Sequence, residues 1–232
     1  MTPERPREEG AIPEELEAVS PLDSLVERSD SRLSESTQLY AALDLGTNSC
    51  RMLIARPRGS QFQVVDSFSK TVQLGAGLEA SGRLSRASIG RTIQALRICQ
   101  KKLEKHRVKR MRLVATEASR RAKNSREFLR QVRRETGMQL EIITPEEEAR
   151  LAVISCAPLV SDRTEKLMIV DIGGGSTELV WIDLKAVEPS DRPRAIMRLH
   201  AGFKPSGEGQ ARVVDWISVP LGVATLKDQF AD

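Results

Sequence analysis

The stretch D-I-G-G-G-S-T-E-L-V-W-I, Asp171 to Ile182, follows the apolar run Leu167–Val170 and decides how the rest of the chain is read. An earlier stretch repeats it: D-L-G-T-N-S-C-R-M-L-I-A, Asp44 to Ala55, behind Tyr40–Leu43. Laid over each other, Asp44 meets Asp171, Gly46 meets Gly173 and Ser49 meets Ser176. Each copy reads as a buried strand, a tight turn of Asp, Gly and hydroxyl residues, and a second strand. Glycine permits close backbone approach, so such a turn can aim several N–H groups at one anion. The aspartate adds the opposite charge, suited to a divalent cation beside that anion. Two such turns imply a duplicated unit with phosphate held between its halves, across a gap.

Working outward from the first turn, strands are expected at about 40–45, 50–56 and 61–68, then a loop K-T-V-Q-L-G-A-G-L (70–78). Ile89, Ile93, Leu96 and Leu103 mark one face of a helix over about 85–105. A buried strand at 111–116 leads into a polar basic loop at 117–124. Asn124, with Glu127 three positions on, reads as the N-cap of a helix ending before Gly137. A strand at 139–143 follows. Thr144 then caps a further helix, with Pro145 at its first position and Glu147 closing a capping box. Around the second turn, strands fall at about 166–171, 176–183 and 213–219. Residues 185–209 read as a long hairpin excursion and 222–230 as a last helix. The order βββ-α-β-α-β-α, then βββ-α, is two starts of one α/β unit, the second copy incomplete. The boundaries are a disordered tail over 1–38, rich in Pro, Glu, Ser and Arg, a first domain over 39–160 and a second over 161–232.

Composition bounds the chemistry. Aromatics are 3% of the 232 residues, so the cores must be aliphatic and base-stacking platforms are scarce, which speaks against a nucleic-acid partner. The net charge of +4 is local: residues 101–134 hold fourteen Lys/Arg against three Glu. An anionic partner suits that segment, as does a merely solvated basic face. Cys50, Cys99 and Cys156 are odd in number, scattered and in apolar contexts, with no C-x-x-C, so they read as reduced core residues of a cytoplasmic protein; two histidines are too few for a histidine metal cage. No apolar run reaches membrane-spanning length.

The candidate site follows from the turns. Gly46, Thr47, Asn48 and Ser49, with Gly173, Gly174, Gly175, Ser176 and Thr177, should form paired phosphate cradles of backbone N–H and hydroxyl donors. Ordinary turn chemistry would explain Asp44 and Asp171 singly; their recurrence in matching frames favours contacts to Mg2+ or its bound water. Glu117 follows a buried strand at the edge where α/β sites gather. A surface ion pair with the neighbouring arginines is its plainer reading. Arg51, Lys70 and Arg91 are the cations expected on phosphate.

From about Tyr40 to its end the chain resembles the exopolyphosphatase / guanosine pentaphosphate phosphatase (Ppx/GppA) family, within the actin-like ATPase superfold. The resemblance rests on D-L-G-T-N-S-C-R (44–51), A-T-E-A-S-R-R-A-K-N (115–124), T-P-E-E-E-A-R (144–150) and D-I-G-G-G-S-T-E (171–178), with L-G-A-G-L (74–78) and V-P-L-G-V (219–223) beside them. It implies a duplicated ribonuclease-H-like α/β domain whose cleft holds the site. It also implies hydrolysis of terminal phosphoanhydrides of inorganic polyphosphate, or of the 5′-phosphate of guanosine pentaphosphate, usually with Mg2+. By the same resemblance Glu117 is the base that activates water, and Glu146 a second carboxylate or metal ligand. Lys70 and Arg91 match basic positions of that family's cleft, whereas Gln73 stands where many members are basic. Family members continue well past the point where this chain stops. The alternative is a non-catalytic sensor that binds polyphosphate or an alarmone such as guanosine tetraphosphate without turnover. A kinase of the same superfold ranks third, because its adenosine pocket would lie in the second lobe. A homodimer is left open.

Overall fold

The computed structural model describes residues 38–59, 61–203 and 209–230. All but the last residue of the expected tail lies outside them. The chain opens with three antiparallel strands: β1 (Tyr40–Leu45), β2 (Ser49–Arg58) and β3 (Gln61–Thr71). A short helix, α1 (Leu78–Ser81), precedes α2 (Arg86–Lys105), which carries the chain back so that β4 (Arg110–Ala115) lies parallel to β1. Then come α3 (Glu117–Arg121), α4 (Ser125–Thr136) and β5 (Glu141–Ile142), parallel to β4. The first sheet has the order β3-β2-β1-β4-β5. After α5 (Pro145–Ser155), a second sheet of order β6-β7-β8 is built from β6 (Lys166–Ile172), β7 (Thr177–Asp183) and β8 (Arg212–Val219). Helix α6 (Arg192–Met197) lies between its last two strands, and α7 (Val223–Phe230) follows them.

Alternation in the sequence sets what each strand buries. Ala41, Leu43 and Leu45 of β1 and Cys50, Met52 and Ile54 of β2 share one face, and all are buried. The stripe Ile89, Ile93, Leu96, Cys99 and Leu103 of α2, with Phe128 and Val132 of α4, completes this first aliphatic core. Each fully buried Leu or Ile stabilises the fold by about 1.5–3 kcal/mol. A second cluster joins Ile169, Val180 and Ile182 of the second sheet to Ala149 and Val153 of α5 and Ile196 of α6. Helix α5, read as the close of the first domain, thus packs its buried side in the second core.

The duplication is visible bond for bond. Asp44 pairs with Arg51 and Leu45 with Cys50; in the second copy Asp171 pairs with Glu178 and Ile172 with Thr177. Gly46 N–H donates to Ser49 O at 3.0 Å, and Gly173 N–H to Ser176 O at 2.9 Å. Both outer strands bulge at the matching place, slipping one residue opposite Ile54/Ala55 and opposite Trp181/Ile182. The extra residues are Val65 and Val214, and the next carboxylate accepts from the following N–H at 2.8 Å in each case, Asp66 from Ser67 and Asp215 from Trp216. The tripeptide V-V-D at 64–66 and 213–215 carries that bulge in both copies.

Several local expectations are corrected. The polar loop at 117–124 contains a helix, α3, and the excursion at 185–209 contains α6, which buries Arg192 and Ile196 rather than extending a hairpin. Asn124 stands at the N-cap position of α4 as expected, but its side chain does not cap the helix. Its side chain accepts from Leu84 N–H at 2.8 Å and donates to Leu84 O at 3.0 Å, pinning the loop before α2. Thr144 caps α5 as expected, accepting from Glu147 N–H at 3.2 Å. The Glu147 carboxylate leaves the box for Arg112 and Arg150, stronger charged partners.

Candidate functional site

The two turns are oriented by what their carbonyls do. Thr47 O accepts from Gly75 N–H, and Asn48 O from the N–H groups of Val72 and Gln73. In the second copy Gly173 O accepts from Val223 N–H and Gly174 O from Ala224 N–H. A peptide plane points its N–H opposite its C=O. The N–H groups of Asn48, Gly174 and Gly175 are therefore turned away from these loops, and they meet no acceptor among the described residues. Thr47 Oγ1 is likewise buried without a partner. These are the donors an anion would meet.

The gap expected between the turns is instead a contact. A Cβ on Gly174 would come within 3.0 Å of Asn48, and one on Gly175 within 2.4 Å of Thr47 Oγ1 and 3.2 Å of Glu117 Cγ. The L-G glycines do the same work behind each turn. A Cβ on Gly75 would strike Thr47 Cγ2 at 2.4 Å, and one on Gly222 would strike the Gly173–Gly175 backbone at 2.5–2.6 Å. Only glycine admits this approach.

Carboxylates gather beside the contact. Burial raises the Asp44 carboxyl above its usual range, with Asp171 adding to the rise and Arg51 opposing it. Glu178 on β7 is 2% exposed; burial pushes it up, while hydrogen bonds from Ser218 Oγ, at 2.8 Å, and from Ser176 pull it down. Glu148, in the first turn of α5, is pushed up to about 7 by burial, with Glu178 and Asp44 adding to it and Arg120 opposing it. The Arg120 guanidinium ties the group together. It donates to Glu148 Oε2 at 2.8 Å, to Glu117 Oε2 at 2.8 and 3.2 Å, and to Ile143 O at 2.7 Å.

The expected residues divide accordingly. Glu117 does lie against Gly175, yet Arg120 and, at 3.7 Å, Arg121 occupy its carboxylate, the ion-pair reading of this residue. Glu146 has no hydrogen bond or ion pair among the described residues; Glu148, two positions on, is the glutamate of T-P-E-E-E-A-R that meets the cluster. Arg91, expected on phosphate, donates to Val72 O at 2.9 Å and Gln73 O at 3.2 Å and holds the loop behind the first turn. Thr177 spends its hydroxyl on Leu221 O at 2.6 Å, and Ser176 gives its own to Glu178. Arg51 and Lys70 are exposed and make no side-chain bond among the described residues, so their charges stay available. Reasoning from sequence missed Glu148, Glu178 and the role of Arg120. Glu178 could have been found, because it takes the frame position of Arg51.

The carboxylates suit a hard divalent cation such as Mg2+. Asp44 and Asp171 take matching places near the ends of β1 and β6, and the Asp171 charge disfavours that of Asp44, a conflict a cation would relieve. No three acidic, histidine or cysteine side chains among the described residues converge into an all-protein cage. Mg2+ accepts one or two carboxylates plus substrate oxygens, so this set fits it. A larger groove, lined by Leu103, Met111, Met138 and Leu140, opens at the start of β4 and contains none of these residues.

The Ppx/GppA phosphatase family model matches residues 53–232. The crystal structure of the Aquifex aeolicus Ppx/GppA family member is 34% identical, with a TM-score of 0.60, over 83% of this chain and 54% of that one. An exopolyphosphatase-like protein is 27% identical (TM-score 0.66), covering 83% and 53%. An exopolyphosphatase from Cytophaga hutchinsonii shares the fold at 21% identity (TM-score 0.67), covering 83% and 54%. The chain spans about half the length of these solved relatives.

Proposed function

Because this chain belongs to the Ppx/GppA phosphatase family, we propose that its site hydrolyses terminal phosphoanhydrides of inorganic polyphosphate, or the 5′-phosphate of guanosine pentaphosphate. What carries the reading is Glu148: a half-buried carboxyl bonded to Arg120 and pushed up to about 7 by burial, with the Asp44 charge adding to the rise. A general base works best with a pKa close to the working pH. Glu148 accepts the proton of an attacking water in this scheme, and Glu117 keeps Arg120 in place. Arg120 and the free N–H groups of Asn48, Gly174 and Gly175 meet the charge that develops on the phosphoryl oxygens, the main demand of phosphoryl transfer. Asp44 and Asp171 would hold Mg2+, which would offset phosphate charge when bound. Arg51 and Lys70 draw the polyanion in. For a phosphoryl group to enter, the contact between Thr47–Asn48 and Gly174–Gly175 has to part.

Phosphate release from polyphosphate and from guanosine pentaphosphate, run beside calorimetric titration with the same ligands, tests this. Glu148→Gln is expected to abolish release and leave binding in place. Release that survives in Glu148→Gln removes the base assignment. Binding without release in the unaltered chain replaces hydrolysis with the sensor reading.

A further inference from the structure

The two turns hang from different supports. Asn48 O accepts from Val72 N–H and Gln73 N–H, both at 2.9 Å, and Val72 O in turn accepts from Arg91 Nε–H at 2.9 Å. Val72 O and Gln73 N–H belong to one peptide unit, as do Asn48 O and Ser49 N–H. A guanidinium on α2 thus leads through two peptide planes to the Ser49 N–H. That N–H is turned away from the loop, as the Asn48 N–H is, and none of the turn and loop hydrogen bonds occupies it. A second bond, from Arg91 Nη2 to Gln73 O at 3.2 Å, brackets Gln73, whose φ of 49° a residue with a Cβ adopts only at a cost.

In the second copy the support is a helix end. Gly173 O accepts from Val223 N–H at 3.0 Å and Gly174 O from Ala224 N–H at 2.8 Å. Gly222 O, in the same peptide unit as Val223 N–H, accepts from Leu226 N–H at 2.9 Å. The second turn is therefore backed by the first turn of α7, where aligned peptide dipoles leave a partial positive charge. Behind the first turn the positive charge is Arg91, acting across the 72–73 peptide.

We infer that Arg91 is a positioning residue of the phosphate site. Its charge polarises the 72–73 and 48–49 peptides and makes the Ser49 N–H a stronger donor to a bound phosphoryl oxygen, without the guanidinium touching phosphate. Hydrogen-bonded groups in series strengthen one another, and a bond to an ionised partner is about twice as strong as a neutral one. The fork of Arg91 is committed to two carbonyls, so its reach toward phosphate is indirect. The inference rests on the hydrolase reading for its ligand; the relay itself does not.

The test follows the Ser49 amide of the full 15N-labelled chain by NMR and titrates the same samples with inorganic polyphosphate at several salt concentrations. Arg91→Gln keeps a donor for Val72 O and removes the charge. Its Ser49 amide proton should move upfield, while the Gly75 amide, given to Thr47 O from the same loop, stays where it was. Arg91→Lys returns the charge and should restore the Ser49 shift. Polyphosphate affinity should fall about fivefold in Arg91→Gln, the difference between a charged and a neutral hydrogen bond. The salt dependence should not change, because no phosphate contact is lost, whereas Arg51→Gln should flatten it. A Ser49 amide that stays put in Arg91→Gln, moves together with Gly75, or is not restored by Arg91→Lys overturns the inference. A flattened salt dependence in Arg91→Gln overturns it in favour of direct contact with phosphate. An unaltered chain that binds no polyphosphate removes the hydrolase reading, and the amide shifts then still decide the relay.

Discussion

Arg51 and Glu178 stand at one position in two copies of the same hairpin, and they could hardly differ more. Arg51 is exposed and unpaired among the described residues; Glu178 is sealed beneath Ser218 and Ser176. The turns around them keep the same strand pairing and the same Gly-to-Ser hydrogen bond. Duplication therefore conserved what positions backbone donors and let the charge beside them invert. One hairpin presents an exposed cation, the other a buried carboxylate.

The largest effect should come from the carboxylate side of that contrast. Glu148→Gln should lower phosphate release about a hundred- to ten-thousand-fold, the usual worth of a general base. Glu117→Gln, whose carboxylate Arg120 already occupies, should cost less than about tenfold. Equal losses in a phosphate-release assay would dissolve the distinction between the two glutamates.

Next is the backbone contact. Gly222→Ala drives a Cβ into the rigid Gly173–Gly175 backbone at 2.5–2.6 Å and should destabilise by about 2–4 kcal/mol. Gly46→Ala has its nearest neighbour at 3.6 Å and should stay within about 0.5 kcal/mol. Urea midpoints compare them; matched losses would mean the turns are not packed as described.

A smaller effect concerns pH. Glu148 titrates near 7 folded against an ordinary 4.5. Its contribution to stability is full below pH 4.5 and is lost as pH rises to 7, because ionising it in place is costly. Glu148→Gln should therefore melt at the wild-type temperature at pH 4.5 and a few degrees higher at pH 8, a gain of up to about 2 kcal/mol. Wild-type turnover should climb through the same interval as the base ionises.

The smallest contrast lies at the bulges. Asp66 is held near pH 2 by hydrogen bonds from Lys102 and His106, so its contribution is present above pH 4 and lost as pH falls toward 2. Asp66→Asn should cost about 1 kcal/mol at pH 7, and Asp215→Asn close to nothing. Thermal melts of the pair decide it.

Much of this was legible beforehand. The Asp/Gly/Ser frames and alternating aliphatic strands announced the duplicated α/β fold, and the spacing of Ile89, Ile93, Leu96 and Leu103 placed α2 within a residue of where it lies. The site was only half legible. Among Glu146, Glu147 and Glu148, a helix turn sends each in a different direction, and sequence alone does not say which direction holds Asp44. Arg91 and Asn124 carry side chains suited to phosphate or a cap. Both were claimed instead by loop backbone groups distant in sequence, Val72 and Gln73 for one and Leu84 for the other.

The paired bulges at Val65 and Val214 carry a consequence for how this protein behaves in company. Both sit on outermost strands, β3 and β8, whose free ladders would otherwise welcome another chain. An extra residue there breaks the regular spacing and twists the rim, so an incoming strand finds no continuous register to copy. The duplication thus carried a safeguard against fibrillar stacking along with the architecture, and each lobe received its own.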